Sequence, residues 1–232
     1  MTASPYVLKE QPQSSHSILL DLVPNDGRGR RLLDVGCAGG YLSRVFAQRG
    51  YNVCAIDGPW AQPRALPANV VFIEQDLEAG LPRLEGGFDY VIAADVLEHL
   101  RDPERLLRQI RSCMTPGGTL LASLPNSANV FFRLNVLLGR FPQDDRGLFD
   151  RTHLHFFTWK TWNELLNRAG FRITSVRPSV IPFSVAFPGF PALGGALESV
   201  YAVFARAWKK LFAYQFVVTA EITGVADQSA VN

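Results

Sequence analysis

Four acidic residues stand where an apolar run of the chain ends, and carboxylates in that position can bind a ligand. They are Asp34, Asp57, Asp76 and Asp95. Each apolar run predicts a buried strand, and the helical patterns between the runs predict an α/β fold with a parallel sheet. The carboxyl ends of parallel strands meet at one edge of the sheet, where open α/β folds bind ligands. Together the four acids predict a binding edge, although any single one could instead cap a helix.

A glycine loop, residues 36–40, follows the first acid and contains Gly36, Gly39 and Gly40. Glycine permits a positive φ and lets a ligand approach the backbone closely. A dinucleotide loop would need glycine at positions 38 and 41, where this chain has Ala38 and Tyr41, and a carboxylate at the strand end suits an amino group better than a pyrophosphate. Asp57 follows Gly36 by about 20 residues, the spacing at which a carboxylate meets ribose hydroxyls. These features favour S-adenosyl-L-methionine, which joins an amino-acid tail to an adenosine, over NAD.

Several segments resemble the class I S-adenosylmethionine-dependent methyltransferases. They are residues 32–40, Asp57, Gln75, Asp76, and residues 88–100 and 116–118. The resemblance covers residues 28–180 and is closest to the ubiquinone-type O-methyltransferases and the methyltransferases encoded with polysaccharide genes. It implies a Rossmann-like sheet of seven strands in the order 3-2-1-4-5-7-6, with the last strand antiparallel, helices on both faces and S-adenosyl-L-methionine as cofactor. Ala38 departs from the family pattern, which has a glycine there, and this change could weaken cofactor binding.

The resemblance also implies which residues bind the cofactor. Asp34 and the glycine loop would hold the methionine end, and Asp57 would hold the ribose. Asp76 and Leu77 would flank the adenine, and Asp95 would face the methionine moiety or the reaction centre. The implied cofactor-binding residues are Asp34, Gly36, Cys37, Gly39, Gly40, Asp57, Asp76, Leu77 and Asp95.

Methyl transfer to a hydroxyl needs a group that removes its proton, and histidine titrates near neutral pH. The four histidines are His16, His99, His153 and His155. We predict that His153, in the motif at 150–158, is a base or a substrate anchor; the alternative is a structural histidine that ties an insertion to the sheet. His99, at the start of a helix after the fourth strand, is the second catalytic candidate, and its position is more typical of a structural residue.

His155 stands where the resembling proteins usually have arginine, so we assign it no role. In an extended segment His153 and His155 would point the same way and could share a metal ion. No third ligand has suitable spacing, so we expect no metal site.

The element order divides the chain into an N-terminal leader, residues 1–27, and a methyltransferase domain, residues 28–232. Two insertions interrupt that domain. Residues 127–157 lie on the predicted ligand edge, where a long insertion is typical of a lid or substrate loop. Residues 178–212 combine an apolar stretch rich in proline and glycine with an amphipathic helix.

The amphipathic part of the second insertion extends over residues 193–212. Its apolar positions repeat with helical spacing, and Arg206, Lys209 and Lys210 lie near its end. We predict a helix that packs on the domain or on a second copy in a homodimer; the alternative is a helix that contacts a membrane peripherally. Proline and glycine within residues 178–197 argue against a membrane-spanning helix.

Composition restricts the function classes. With 23 basic and 21 acidic residues the net charge is +2. Nucleic-acid binding normally needs a clustered basic face, and this charge gives no case for one. The three cysteines lack metal-ligand spacing and the N-terminus lacks a signal-peptide core, so we expect a cytoplasmic protein with reduced thiols. We predict an O-methyltransferase that acts on a small molecule, a sugar or a lipid-linked intermediate. The alternative is a non-catalytic S-adenosylmethionine-binding or partner protein, which Ala38 would favour if it disrupted the glycine loop.

Overall fold

The structure is a computed structural model and describes residues 11–61, 63, 65–186 and 189–224. The strands are β1 (Arg31–Val35), β2 (Asn52–Asp57), β3 (Val70–Glu74), β4 (Phe88–Ala94), β5 (Met114–Pro125), β6 (Phe171–Pro178) and β7 (Gln215–Ile222). The helices are α1 (Ser15–Leu22), α2 (Tyr41–Gln48), α3 (Pro103–Cys113), α4 (Val130–Leu137), α5 (Trp159–Arg168), α6 (Phe183–Ala186), α7 (Pro191–Ala207) and α8 (Lys209–Phe212), with a 3₁₀ turn at Leu97–His99.

The strands form one sheet in the order β3-β2-β1-β4-β5-β7-β6. The first five strands pair in parallel, and β7 runs antiparallel to both β5 and β6. The predicted fold class and strand order are confirmed. Strand β5 is the longest of the seven and begins at Met114. Met114 already pairs with Phe88, ahead of an irregularity in the ladder between β4 and β5.

Apolar cores lie on both faces of the sheet. On one face Trp162 of α5 is fully buried, and its indole N–H donates to the carbonyl of Pro125 at 2.8 Å. On the other face Phe46 of α2 packs in one cluster with Ile18 and Leu19 of α1. Burying an aliphatic or phenyl side chain contributes about 1.5–3 kcal/mol, so α1, from the segment interpreted as a leader, is packed on the domain.

The first insertion leaves and rejoins the sheet at one point, where the N–H of Ser127 donates to the carbonyl of Phe157 at 2.9 Å. It forms α4 and then folds back to the 3₁₀ turn. There the carbonyl of Glu98 accepts the N–H groups of Leu154 at 2.9 Å and His155 at 3.3 Å. These bonds hold the insertion beside the carboxyl end of β4.

The second insertion forms α6, α7 and α8. Side chains of its apolar stripe that are 41–61% exposed are Leu197, Val200, Phe204 and Trp208. At these positions the stripe does not pack on its own domain, whereas its members Tyr201 and Phe212 pack beside Val180. The helix instead buries the small side chains of Ala202 and Ala205. Within the residues that the structure describes, no helix is long and apolar enough to cross a membrane.

Candidate functional site

The glycine loop connects β1 to α2 and is closely packed. Gly36 has a φ of +76°, and a Cβ atom there would lie 2.7 Å from the side chain of Val96. A Cβ atom on Gly39 would lie 2.7 Å from the ring of Tyr41. Gly40 is the N-cap of α2, and no side chain caps this helix. The N-terminal N–H groups of α2 therefore lack a side-chain cap, a position that favours an anionic group.

Ala38 takes the conformation that the expected glycine would take. Its φ is +47°, in the left-handed region, where a residue with a Cβ is strained by about 1–2 kcal/mol. Its N–H donates to Oδ2 of Asp57 at 2.7 Å. The left-handed turn is thus present despite the substitution.

Asp57 joins the ends of β1 and β2. It is 6% exposed, and in addition to the N–H of Ala38 it accepts the N–H of Gly58 through Oδ1 at 2.7 Å. Burial raises the pKa of Asp57, and these two hydrogen bonds oppose the increase. Each carboxylate oxygen has a second lone pair that can accept a further hydrogen bond. A bond between Asp57 and the ribose hydroxyls is therefore feasible and stays a prediction.

Asp34 lies at the end of β1 and is 2% exposed. Its Oδ2 accepts the hydroxyl of Ser43 in α2 at 2.5 Å. Burial raises the pKa of Asp34 to about 6, against the lowering effect of the Ser43 bond. Burial also raises the pKa of the neighbouring Cys37 thiol, which is therefore unreactive. The predicted contact between Asp34 and an amino group stays a prediction.

Asp76 and Leu77 follow β3 and face different surroundings. Asp76 is exposed, and its Oδ1 accepts the N–H of Glu78 at 2.9 Å, which closes a turn. Leu77 is buried in the main apolar core. A place for both residues beside adenine stays a prediction.

Asp95, which follows β4, connects that strand to β5 and β7 through hydrogen bonds. Its Oδ1 accepts the hydroxyl of Ser123 in β5 and the side-chain amide of Gln215 in β7, the latter at 2.7 Å. Its backbone N–H donates to the Ser123 oxygen at 3.0 Å. Asp95 also has a left-handed φ of +52°, and strained backbone of this kind is concentrated at ligand sites.

A cavity of about 330 Å³ opens beside Asp95, within the size range of small-molecule sites. Both insertions and the start of α1 line it, together with the ends of β4, β5 and β7. Polar residues in the lining include Glu98, His99, Asp150, His153, Tyr214 and Gln215. Burial raises the pKa of Tyr214 to about 12, so its phenol is protonated at neutral pH.

His99 is oriented by the first insertion. Its Nδ1 lies 3.2 Å from the carbonyl oxygen of Thr152 and 3.0 Å from the Thr152 hydroxyl. That hydroxyl donates its one proton to Oδ1 of Asp150 at 2.6 Å. Because a carbonyl and a hydroxyl that already donates can only accept, Nδ1 of His99 carries the proton. In the neutral ring Nε2 is therefore a proton acceptor.

His153 is a different kind of histidine. Its side chain is 6% exposed, and its ring meets His99 edge to face, with 4.8 Å between centroids. Its Nε2 lies 3.8 Å from Oε1 of Glu98, too far for a hydrogen bond. Burial, aided by the charge of His99, lowers the pKa of His153 to about 4. At neutral pH the ring is uncharged and a weak base.

Within the described part of the chain, Glu98, His99 and His153 form a group with metal-ligand chemistry, because their ligand atoms lie within 4.8 Å of one another. Two ligands of tetrahedral zinc are about 3.4 Å apart, given bonds of about 2.0–2.1 Å. The group spans more than that distance. It was missed in the sequence because its members come from two elements. The expectation of no metal site stays a prediction.

His155 faces away from this group. Its Nε2 donates to the carbonyl of Leu100 at 2.9 Å and so helps to hold the insertion on the 3₁₀ turn. His153 and His155 thus have different neighbours, and His155 does not belong to the group of Glu98, His99 and His153. His16, in α1, is not among the residues that line the cavity.

The sequence pointed to Asp95 but missed its two partners. Ser123 and Gln215 stand 28 and 120 residues further along the chain. A buried polar residue inside an apolar strand needs a hydrogen-bond partner, and this signal could have identified Ser123. Gln215 begins β7, and no local pattern distinguishes it.

Comparison with known proteins gives a family match. Residues 8–176 match a family model described as a methyltransferase domain. Over 119 residues the chain is 40% identical to the ubiquinone biosynthesis O-methyltransferase of Xanthomonas campestris pv. campestris, which covers 47% of this chain and 48% of that protein. The chain thus spans about half the length of the curated relatives it matches.

Solved structures share the fold at low sequence identity. An S-adenosylmethionine-dependent methyltransferase from Mesorhizobium loti superposes with a TM-score of 0.60 and 20% identity, over 89% of this chain and 97% of that chain. A second solved structure is a 1,6-didemethyltoxoflavin-N1-methyltransferase from Burkholderia thailandensis with bound 1,6-didemethyltoxoflavin and S-adenosylhomocysteine. It superposes with a TM-score of 0.55 and 19% identity, over 85% of this chain and 73% of that chain. At these identities the likeness concerns the fold.

Proposed function

Because this chain belongs to the family of methyltransferase domains, we propose that it transfers a methyl group from S-adenosyl-L-methionine to a hydroxyl of a small molecule, a sugar or a lipid-linked intermediate. The identity to O-methyltransferases supports oxygen as the acceptor atom. The observation that carries the proposal is a cavity beside Asp95 in which His99 is held in one tautomer.

The ends of β1 and β2 suit this cofactor. The N-terminus of α2, which no side chain caps, would receive the carboxylate of the methionine moiety. Asp34 would attract its amino group, Asp57 the ribose, and Asp76 with Leu77 the adenine, while Asp95 would face the methionine moiety. The bound cofactor supplies an activated methyl group, so the protein has to align the acceptor and exclude water.

His99 is the base that we favour, with Thr152 and Asp150 as positioning residues. Its Nε2 takes the proton of the acceptor hydroxyl while Nδ1 keeps its proton toward Thr152. The carboxylate of Asp150 then stabilises the positive ring through the Thr152 hydroxyl, much as a carboxylate does in a triad. A positioned base accelerates a reaction by about 10²–10⁴-fold. His153, neutral in the cavity, serves as an acceptor anchor.

The second candidate function, non-catalytic S-adenosylmethionine binding, depended on a disrupted glycine loop. Ala38 adopts a left-handed φ of +47° and is bonded to Asp57, so the loop offers no support for that alternative.

Two predictions about surfaces extend the proposal. Residues 127–157 act as a lid, because Leu148, Asp150 and His153 of this insertion line the cavity. Residues 193–212 meet a second surface, either another copy in a homodimer or a membrane contacted peripherally, because their apolar stripe is exposed.

An acceptor screen with methyl-labelled cofactor tests the function. We expect a labelled product from at least one class among hydroxylated aromatics, sugars and lipid-linked hydroxyl compounds, with S-adenosylhomocysteine formed in equal amount. Calorimetry should show that S-adenosylhomocysteine binds and that NAD does not. Binding of NAD alone would contradict the cofactor, and cofactor binding without transfer to any class would favour the non-catalytic alternative.

A further inference from the structure

Two helices expose large apolar side chains, which we call the apolar face. On α4 and the residues after it, the side chains that are 50–81% exposed are Phe131, Leu134, Leu137, Leu138 and Phe141. On α7 and the residue after it, those that are 41–61% exposed are Leu193, Leu197, Val200, Val203, Phe204 and Trp208. Single exposed apolar residues are ordinary, but a concentration of them marks an interaction site.

A buried asparagine joins the two helices. Asn129 caps α4, since its Oδ1 accepts the N–H of Phe131 at 2.9 Å. Its Nδ2 lies 3.2 Å from the hydroxyl of Tyr201 in the middle of α7 and 2.8 Å from the carbonyl of Ala213, which follows α8. Asn129 is fully buried, so its bonds hold both helices in one arrangement. The two helices that carry the apolar face are therefore connected through Asn129, from the start of α4 to the middle of α7.

The exposed charged residues of the two segments that carry the apolar face are basic. Residues 130–141 and 189–213 contain the basic side chains Arg133, Arg140, Arg206, Lys209 and Lys210. Their one acidic residue, Glu198, is 7% exposed and accepts the N–H and hydroxyl of Ser184, both at 2.7 Å. The surface offered to a partner is thus apolar with basic residues beside it, which complements an anionic surface.

We propose that the apolar face docks on the surface of an anionic lipid bilayer. Apolar side chains enter the headgroup region while the basic residues meet lipid phosphates. A second copy is a poorer occupant, because a two-fold interface places the same patch on both partners and would bring the basic residues of one copy toward those of the other. Trp208, followed by Lys209 and Lys210, has the pairing of an aromatic ring and basic groups that is common at membrane interfaces.

Docking also places the cavity near the bilayer, a step that rests on the proposed function. The two insertions that carry the apolar face also line the cavity, through Arg146 and Leu148 from the first and Val180 and Glu198 from the second. An acceptor with a hydroxylated head and a lipid tail can therefore present its head to His99 from the membrane. This selects the lipid-linked class among the possible acceptors.

Flotation with vesicles tests the docking, using the full chain. Vesicles of phosphatidylcholine with phosphatidylglycerol should bind the protein at low salt, and vesicles of phosphatidylcholine alone should bind it much more weakly. The double variant R206Q/K210Q should weaken binding by about tenfold or more, because each basic residue near an anionic surface contributes about 1 kcal/mol. The matched variant R83Q/R172Q, which removes two exposed arginines elsewhere, should leave binding unchanged.

Apolar variants separate insertion from charge attraction. Leu137→Ser combined with Phe204→Ser should abolish vesicle binding with the thermal midpoint retained, since both side chains are exposed. Val71→Ser, at a residue 62% exposed on β3, is the control and should bind as the unchanged protein does. An equal loss of vesicle binding in the double variant L137S/F204S and in the Val71→Ser control would overturn the proposal.

Two further outcomes would overturn the docking proposal. One is an absence of vesicle binding, and the other is a dimer by light scattering that the L137S/F204S change dissociates. Calorimetry with S-adenosylhomocysteine on the same preparations reports the cofactor site independently. Cofactor binding without vesicle binding rejects the docking alone, and vesicle binding without cofactor binding rejects the proposed function alone.

Discussion

The two ends of the binding edge are built from contacts of very different range. Around β1 and β2, Asp34 bonds to Ser43 nine residues away, and Ala38 bonds to Asp57 across 19 residues. Around β4, His99 meets Thr152 across 53 residues, and Asp95 meets Gln215 across 120. The β1–β2 end, where we propose that the cofactor binds, is thus defined within one βαβ unit. The β4 end, where we propose that the acceptor binds, requires two insertions and the last strand.

The largest effect is expected on the acceptor side, from His99→Gln. Glutamine can donate to Thr152 but cannot take a proton, so turnover should fall by about 10²–10⁴-fold while S-adenosylhomocysteine affinity is retained. His155→Gln can keep a bond to the carbonyl of Leu100 and should retain most of the activity. Steady-state kinetics and calorimetry give the two readouts.

A result on His153 would reverse that assignment. If His153 were the base, His153→Gln would show the larger loss. The rate of the unchanged enzyme would also rise with pH near 4, where burial places the pKa of His153, because the ring must lose its proton to act.

On the cofactor side, Gly36→Ala should reduce cofactor affinity by at least about tenfold, because the added methyl would lie 2.7 Å from Val96 and shift the loop. Overpacking of this kind costs about 1–3 kcal/mol of stability. Gly139→Ala is the matched control, since Gly139 also has a positive φ, +69°, but has nothing within 4 Å of the added atom. If calorimetry showed equal cofactor affinities for the two variants, the loop would accommodate the added methyl group without losing its cofactor-binding conformation.

Asp34→Asn tests whether the buried carboxylate binds or only packs. The folded pKa is raised from 3.8 to about 6, so the folded state holds a proton that the unfolded state has lost between these values. The free energy of unfolding should therefore fall as pH rises from about 4 to about 6, by about 2–3 kcal/mol. Asparagine can still accept from Ser43 and should remove this dependence in urea titrations.

The cofactor readout of the same variant decides the role of Asp34. If the carboxylate holds the amino group, affinity for S-adenosylhomocysteine falls at pH 7 although the protein becomes more stable. Unchanged affinity would leave Asp34 a packing residue.

Ala38→Gly should have a small effect in the favourable direction. Relief of the left-handed strain should raise the free energy of unfolding by about 0.5–1 kcal/mol after the entropy of glycine is allowed for. Thermal melting measures the change, and the cofactor affinity should stay equal or improve. A loss of stability would mean that the alanine methyl contributes packing that outweighs its strain.

The smallest effect is expected from metal chelation. Glu98, His99 and His153 are spread over 4.8 Å, so dialysis against a chelator should leave turnover unchanged. If activity were lost and zinc or magnesium restored it, this group would be a metal site. His99 would then be a metal ligand and not the general base.

Local patterns predicted the elements of the cofactor side well, because acids after apolar runs and glycines at a strand-to-helix turn reflect backbone geometry within a few residues. They were less informative for residues 193–212, where helical spacing predicted the helix but not which face was buried. Burial was decided by Ala202 and Ala205, whose small side chains permit close packing. Of the large apolar side chains in the predicted stripe, Tyr201 and Phe212 pack on this side of the helix, whereas Phe204 is exposed.

The amino-acid sequence by itself determined the α/β fold, the strand order implied by family resemblance, and the position of the glycine loop, because these depend on periodicity and on turns formed by neighbouring residues. Only the tertiary structure distinguished the two candidate histidines chemically. Thr152 and Asp150 place the proton on His99, and burial lowers the pKa of His153 to about 4. Tautomer and pKa depend on hydrogen-bond partners and burial, and these come from residues that meet only when the chain is folded.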